Sequence, residues 1–259
     1  EEYFKVLDLF FESKNKGILV IGRSGIGKTM MTLEYLTKNK IKYDLISGYV
    51  SPMMFYKKLY ENRKGVLVLD DVLNLFEDKQ IISLLLSSLD YTKSKVAWAS
   101  STKLLKNYSL PEEFEFKGKI IMIRNELNIN DEIMKALINR CIVYKMRLSR
   151  EDILKEIEKE RKYKELSEWV RQNLLDINYR NWELAKRIYD KFDNWKEMAE
   201  KLLKNEFIDD GIMRNVWEIV VKYKGFSNNR KAEIFTKEFG LSRRTFYRYL
   251  KRLRELGLL

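Results

Sequence analysis

Along the first 146 residues, short unbroken apolar runs alternate with stretches whose apolar positions recur every three to four residues. The runs are residues 18–21, 66–69, 120–123 and 142–144, with 43–46 a weaker candidate. A strand that is apolar at every position must be covered on both faces, as in a parallel sheet flanked by helices. Helical stretches over residues 1–13, 28–38, 53–62, 80–88 and 131–138 lie between the runs, where crossover connections belong. After Met146 the strand pattern stops. Residues 149 to about 204 read as helix after helix, rich in Lys, Glu and Leu and without Pro or Gly. Three more helices follow from about residue 205. The pattern predicts an α/β protein with a parallel-sheet core over residues 1–148, a helical section over 149–205 and a small helical section over 206–259.

Composition narrows the choice of partners. A chain of 259 residues, 45% apolar and 34% charged, can bury a sizeable core and is not disordered. Fifty Lys and Arg against 38 Asp and Glu leave a formal charge of +12, which favours an anionic partner. One cysteine excludes a disulfide framework, and the lack of histidine removes the usual zinc sites and His-based acid–base catalysis. No apolar run approaches the roughly 18 residues of a membrane span. The chain opens at Glu1 with no signal-like segment, so the expectation is a cytoplasmic protein, read as an intracellular fragment.

Residues 22–29 match G-x-x-x-x-G-K-S/T at every fixed position, between an apolar run and a helical stretch. Gly22, Arg23, Ser24, Gly25, Ile26 and Gly27 form a loop whose backbone N–H groups can turn inward onto phosphate oxygens, and the following helix start adds partial positive charge. Lys28 is placed to reach the β- and γ-phosphates, and the Thr29 hydroxyl to ligate Mg²⁺. Such a site needs a carboxylate at the end of a buried strand, and residues 66–69 run into Asp70 and Asp71. Asp70 would hold the Mg²⁺ through water, and Asp71 would orient and deprotonate an attacking water. An acidic helix N-cap after a core strand is the other reading of that pair.

These motifs, in this order, resemble those of the AAA+ ATPases over roughly residues 1–205. The Asp70-Asp71 pair followed by residues 72–76 is similar to replication initiators and helicase loaders. The resemblance implies ATP and Mg²⁺ as cofactors and gives roles to residues that spacing alone does not. Asn125, after the run 120–123, would be the sensor at the third strand's end that touches the γ-phosphate and the water; a strand-end turn is its alternative. Residues 136–141 are similar to the Ser-Arg-Cys segment of clamp loaders, with Asn139 in place of Ser. There Arg140 would point into a neighbouring subunit's site, the alternative being a surface arginine at a helix C-terminus. Arg180 sits where the family's helical lid presents a second sensor arginine, with Arg187 as a rival. One departure is the stretch over 96–118, an extra extended segment such as viral and phage replication ATPases carry before the sensor strand. Its Lys103 and Lys106 would meet a nucleic-acid backbone or form a solvated loop, with Trp98 then part of the core.

The carboxyl end adds a separate signal. Residues 206–259 hold 12 Lys and Arg against 7 Asp and Glu. A helix over 230–239, a turn at Gly240-Leu241 and Ser242 as N-cap of a last helix over 243–256 look like a helix-turn-helix in a winged-helix-like section. Phe246, Tyr249, Leu250, Leu253 and Leu256 share one face of that helix, and Arg243, Arg244, Tyr247, Arg248 and Lys251 fall largely off it. Arg suits phosphate and guanine edges, so DNA is the expected partner, the alternatives being a solvated basic face or a protein-docking surface. Together the motifs predict an oligomeric ATPase, in a ring or filament, acting on DNA in replication, recombination or transposition, beside a helicase or other replication or recombination protein. A nucleotide-switched DNA-binding regulator is the alternative.

Overall fold

The continuous apolar runs become the inner strands of one sheet. In chain order the first unit contains α1 (Glu2–Glu12), β1 (Gly17–Ile21), α2 (Lys28–Lys38), β2 (Tyr43–Ser47), α3 (Pro52–Glu61) and β3 (Val66–Asp70). It continues with α4 (Lys79–Leu89), β4 (Lys95–Ala97), β5 (Glu113–Glu115), β6 (Lys119–Arg124), α5 (Glu132–Ile138) and β7 (Cys141–Lys145). The computed structural model describes residues 2–98, 105, 107–126, 132–174, 177–203, 211–255 and 259. The chain divides into two compact units, residues 1–146 and 147–259.

The sheet is parallel throughout, in the order β2-β3-β6-β1-β7. Burial explains why some strands are plainer in the sequence than others. β1 and β3 are buried at their first four positions and β6 at its middle four, whereas the edge strands β2 and β7 are only partly covered. Leu19, Leu67, Leu69, Ile120 and Met122 point to one face, where they pack with Phe55, Tyr56 and Leu59 of α3 and Leu85 of α4. On the opposite face, Ile18, Val20, Val68, Ile121 and Ile123 are equally buried. There α1 is tied to α2 by the Tyr3 and Thr32 hydroxyls, 2.7 Å apart, and by the Tyr35 hydroxyl donating to Asp8 at 2.7 Å.

The expected extended insertion forms a two-stranded antiparallel sheet. β4 and β5 pair with Val96 opposite Phe114, and the Trp98 N–H donates to the Glu112 carbonyl at 2.8 Å. Trp98 is half-buried against the core of the main sheet. Lys103 and Lys106 lie outside the described residues.

The second unit is helical in every described element: α6 (Arg150–Ile157), a short 3-10 turn, α7 (Lys164–Asn173), α8 (Tyr179–Lys191), α9 (Trp195–Leu203), α10 (Gly211–Lys222), α11 (Asn228–Phe239) and α12 (Arg243–Glu255). Side-chain caps start several of these. Ser149 and Asp152 form a reciprocal capping box, and Asn178 accepts the Asn181 N–H at 2.9 Å. Arg150, only 7% exposed, donates to the carbonyls of Arg171 at 2.7 Å and Leu174 at 3.0 Å, and its guanidinium lies 5.5 Å from the Trp217 ring of α10. α10, α11 and α12 share a core of Val216, Trp217, Phe235, Phe246, Leu250 and Leu253. No helix among the described residues is long and apolar enough to cross a membrane.

Candidate nucleotide site

Parallel pairing carries the carboxyl ends of β1, β3 and β6 to one edge of the sheet, where open α/β sheets bind ligands. The ladder continues past the strands. The Gly22 N–H donates to the Arg124 carbonyl at 3.2 Å, the Asp71 N–H to the Ile123 carbonyl at 3.1 Å and the Met146 N–H to the Ile21 carbonyl at 2.8 Å. Residues 52 to 125 positions apart in sequence meet there as a result.

The glycine loop curls for steric reasons. A Cβ on Gly22 would sit 2.6 Å from the Met146 carbonyl oxygen and 2.8 Å from the Ile26 side chain, which is itself buried. Gly27 caps α2 at φ 88°, in the left-handed region, while its carbonyl accepts the Met31 N–H at 2.8 Å. Lys28, the first residue of α2, is 6% exposed. Its ammonium donates to the Gly22 carbonyl at 2.8 Å, the Arg23 carbonyl at 3.0 Å and Asn125 Oδ1 at 2.9 Å. Asn125 Nδ2 in turn donates to Asp71 Oδ2 at 3.4 Å. Beside this chain, the Thr29 hydroxyl donates to Asp70 Oδ1 at 2.7 Å. The loop, both aspartates and Asn125 are therefore one constellation.

Asp71 holds φ 46°, a left-handed conformation that Asp tolerates better than most residues. Arg124, which the motif reading passes over, braces that turn. Its guanidinium donates to the Val72 carbonyl at 2.7 Å and lies 5.4 Å from the Phe76 ring. The one sequence signal for it is a cation ending an otherwise apolar strand beside a polar Asn. Asn74 is the other residue missed. Buried at 7% exposure, it pairs with both backbone groups of Val50, at 2.7 and 3.2 Å, and fastens the loop after β3 to the loop after β2.

The residues fit a nucleotide with a hard divalent cation. The Thr29 hydroxyl and Asp70 carboxylate supply the oxygen donors that Mg²⁺ takes together with phosphate oxygens. Among the described residues no group of three or more His, Cys, Asp or Glu forms a separate metal cage. Arg140 lies at the other end of the sheet, just ahead of β7, and Arg180 belongs to the second unit. Arg140, at the end of α5, donates to the Ala136 carbonyl of its own helix at 2.8 Å. Arg180 is on the first turn of α8, in the second unit, whose buried face is Asn181, Trp182, Ala185 and Ile188.

At the carboxyl end, α11 closes at Gly240 with φ 69°, and Ser242 accepts the Thr245 N–H at 3.2 Å to open α12. Phe246, Leu250 and Leu253 are buried, and Arg243, Arg244, Tyr247, Arg248 and Lys251 are all exposed. Arg243 is paired with Glu233 at 2.7 Å, the Tyr247 hydroxyl bonds to Asn229, and Lys251 lies 3.7 Å from Glu255. Leu256 is outside the described residues.

The sheet, its flanking helices and the helical region that follows match the fold of RuvB. The Holliday junction branch migration motor RuvB of Thermotoga maritima superimposes with a TM-score of 0.54 at 13% identity, over 97% of this chain and 87% of that one. NtrX of Brucella abortus, solved in complex with ATP, gives 0.51 at 14% identity, over 99% of this chain and 67% of that one. At such identities the likeness is one of fold. In sequence, an uncharacterized 36.7 kDa protein from the nrdC-mobD intergenic region of Enterobacteria phage T4 is 29% identical over 223 residues, covering 71% of this chain and 67% of that protein. No protein-family model matches the sequence.

The contact made by Gly22 yields a direct test of the loop geometry. Gly22→Ala must displace either the Met146 backbone or Ile26, so the first unit should lose about 1–3 kcal/mol of stability. Thermal unfolding of the variant measures it, and an unchanged midpoint would mean that the loop is not packed as described.

Proposed function

We propose that this chain is a Mg²⁺-dependent ATPase of the AAA+ class that acts on DNA as an oligomer. The observation that carries the reading is the polar chain from Lys28 through Asn125 to Asp71, lying beside the Thr29–Asp70 pair. The loop from Gly22 to Gly27 would wrap the phosphates with its N–H groups. Lys28 would exchange its present oxygens for those of the β- and γ-phosphates, and Thr29 with Asp70 would hold the cation. Bound ATP with Mg²⁺ supplies the transferable phosphoryl group and the charge that steadies its departure. Asp71 would orient the attacking water and take its proton, with Asn125 fixing the carboxylate. Arg140 would act in the site of an adjacent copy of the chain, and Arg180 would serve as the second sensor. On this reading residues 1–148 are the ATPase core, 149–205 its lid and 206–259 a DNA-binding helix-turn-helix.

Two observations support DNA as the substrate. The described face of α12 presents Arg243, Arg244, Tyr247, Arg248 and Lys251 outward from a helix seated by Phe246, Leu250 and Leu253. One of the fold's neighbours is itself a branch migration motor. A helicase or other replication or recombination protein fits as a further partner. The regulator alternative differs in one observable, since a switch has no need of turnover that rises with assembly.

Lys28→Ala should abolish ATP binding in a folded protein, because the phosphate contact and its charge disappear together. Asp71→Asn should still bind ATP while hydrolysis falls by a factor on the order of 10² or more. Equilibrium binding and phosphate release separate the two effects, and wild-type turnover in Asp71→Asn would place the base elsewhere.

Mixing Arg140→Ala with Lys28→Ala subunits should recover activity that neither has alone, because each brings one intact half-site. Activity flat with protein concentration, and no rescue on mixing, would make Arg140 a surface residue.

Arg244→Ala with Arg248→Ala should flatten the salt dependence of duplex binding by about two units of log K against log salt if both meet phosphates. Fluorescence anisotropy across a salt series reads the slope, and an unchanged slope would remove α12 as the DNA contact.

A further inference from the structure

The opposite edge of the parallel sheet carries a feature that the nucleotide site does not use. All five strands start at this edge, and four neighbouring ones start on or within two residues of a lysine: Lys42 ahead of β2, Lys64 ahead of β3, Lys119 opening β6 and Lys16 ahead of β1. Neighbouring parallel strands lie about 4.8 Å apart, so these starts form a row of cations across the sheet. Where β1 and β6 begin side by side, the Ile120 N–H donates to the Lys16 carbonyl at 2.7 Å. The side chains there line an open, shallow concavity of about 470 Å³, among them Lys14, Lys16, Lys117, Lys119, Asn15 and Tyr91.

The concavity is built rather than incidental. Lys119 donates to the carbonyls of Phe10 at 2.7 Å, Ser13 at 3.0 Å and Asn15 at 2.8 Å, which holds the loop that presents Lys14 and Lys16. Lys16 reaches across to the Asp90 carbonyl at 3.1 Å and so fixes the turn that carries Tyr91. Burial pulls the Lys16 ammonium below its usual range; Glu115 and Asp90 oppose this, and the charge of Lys117 adds to it. Lys117 pairs with Glu115 at 2.9 Å, and both side chains are more than half exposed. Such a pair contributes little and yields readily to a phosphate. The Tyr91 ring is 64% exposed beside these cations.

We infer that this edge is a second nucleic-acid contact, in which Lys14, Lys16 and Lys117 hold the phosphates of a single strand and Tyr91 stacks on an unpaired base. A ring with an open face beside a basic groove is the combination that single-strand sites use, and a duplex offers no free base face to it. The contact is independent of α12, and it stands or falls separately from the proposed role of that helix.

The test uses the full chain and a fluorescein-labelled oligothymidine, read by anisotropy across a salt series. Lys14→Ala with Lys117→Ala should weaken binding and flatten the slope by about 1.4, at roughly 0.7 per single-strand phosphate contact. Tyr91→Ala should weaken it on the order of ten-fold while Tyr91→Phe keeps it, since the ring and not the hydroxyl stacks. All three side chains are exposed, and unchanged melting curves would confirm that the variants fold. Arg244→Ala with Arg248→Ala, tested in parallel, should leave the losses caused by the lysine and Tyr91 variants in place. Oligothymidine binding with the same affinity and slope in the lysine variant would overturn the inference. So would an equal loss on duplex DNA, which would reduce the edge to a general basic patch.

Discussion

Everything at the candidate site turns on keeping one ammonium group out of water. Removing a charge from solvent costs several kcal/mol unless other oxygens take over its hydration. Lys28 meets that demand with the Gly22 and Arg23 carbonyls and with Asn125, which brings the loop's beginning and the end of β6 to the same point. The loop can close that far because Gly22 has no Cβ to strike the Met146 carbonyl. β6 can supply Asn125 because it pairs directly with β1, Ile21 standing beside Arg124. Strand order, glycine placement and the lysine's charge are thus one constraint, and the Thr29–Asp70 and Asn125–Asp71 contacts follow from the register it imposes.

The sequence made the fold legible where burial was uniform. β1, β3 and β6 stand out as unbroken apolar runs because both their faces are covered, and the structure extends each by only a residue or two. β2 reads weakly because it is an edge strand with alternate positions open. Strand order was not legible, since nothing local to the run 120–123 says that it pairs with both β1 and β3. Within the site, the loop, Lys28, Thr29 and the two aspartates announce themselves by spacing. Arg124 and Asn74 do not, because each acts through a backbone carbonyl remote in sequence, at Val72 and Val50, and such a contact leaves no local pattern. Arg140 shows the converse. Its motif is readable, but the role proposed for it at another subunit's site has no counterpart in the single chain, where the guanidinium donates to the Ala136 carbonyl.

The carboxyl-terminal helices follow the same division between local and distant information. The turn at Gly240 and the cap at Ser242 are local chemistry, and both appear where the sequence puts them. Helical periodicity likewise separates Phe246, Leu250 and Leu253 from the basic face. The partners that cross from α12 to α11, Glu233 for Arg243 and Asn229 for Tyr247, depend on how the two helices dock and could not be read in advance. They matter because, among the described residues, no contact ties Arg244 or Arg248, the other arginines early in α12, to the neighbouring helix. Arg248 instead lies over the Tyr249 ring.

Cys141 opens β7 with its sulfur turned toward Gly17 and Leu89, so closely that a Cβ on Gly17 would lie 2.8 Å from it. Burial pushes the thiol up to about 12, the nearby Arg140 charge only partly offsetting it, and the nucleophilic thiolate is scarce at neutral pH. The chain's single sulfhydryl, partly buried, is therefore a weak nucleophile while the sheet is intact. An exposed cysteine introduced on the surface would react with a maleimide dye or a spin label in preference to it. One such cysteine placed on each unit would let distances between the two units be measured without first removing a native residue.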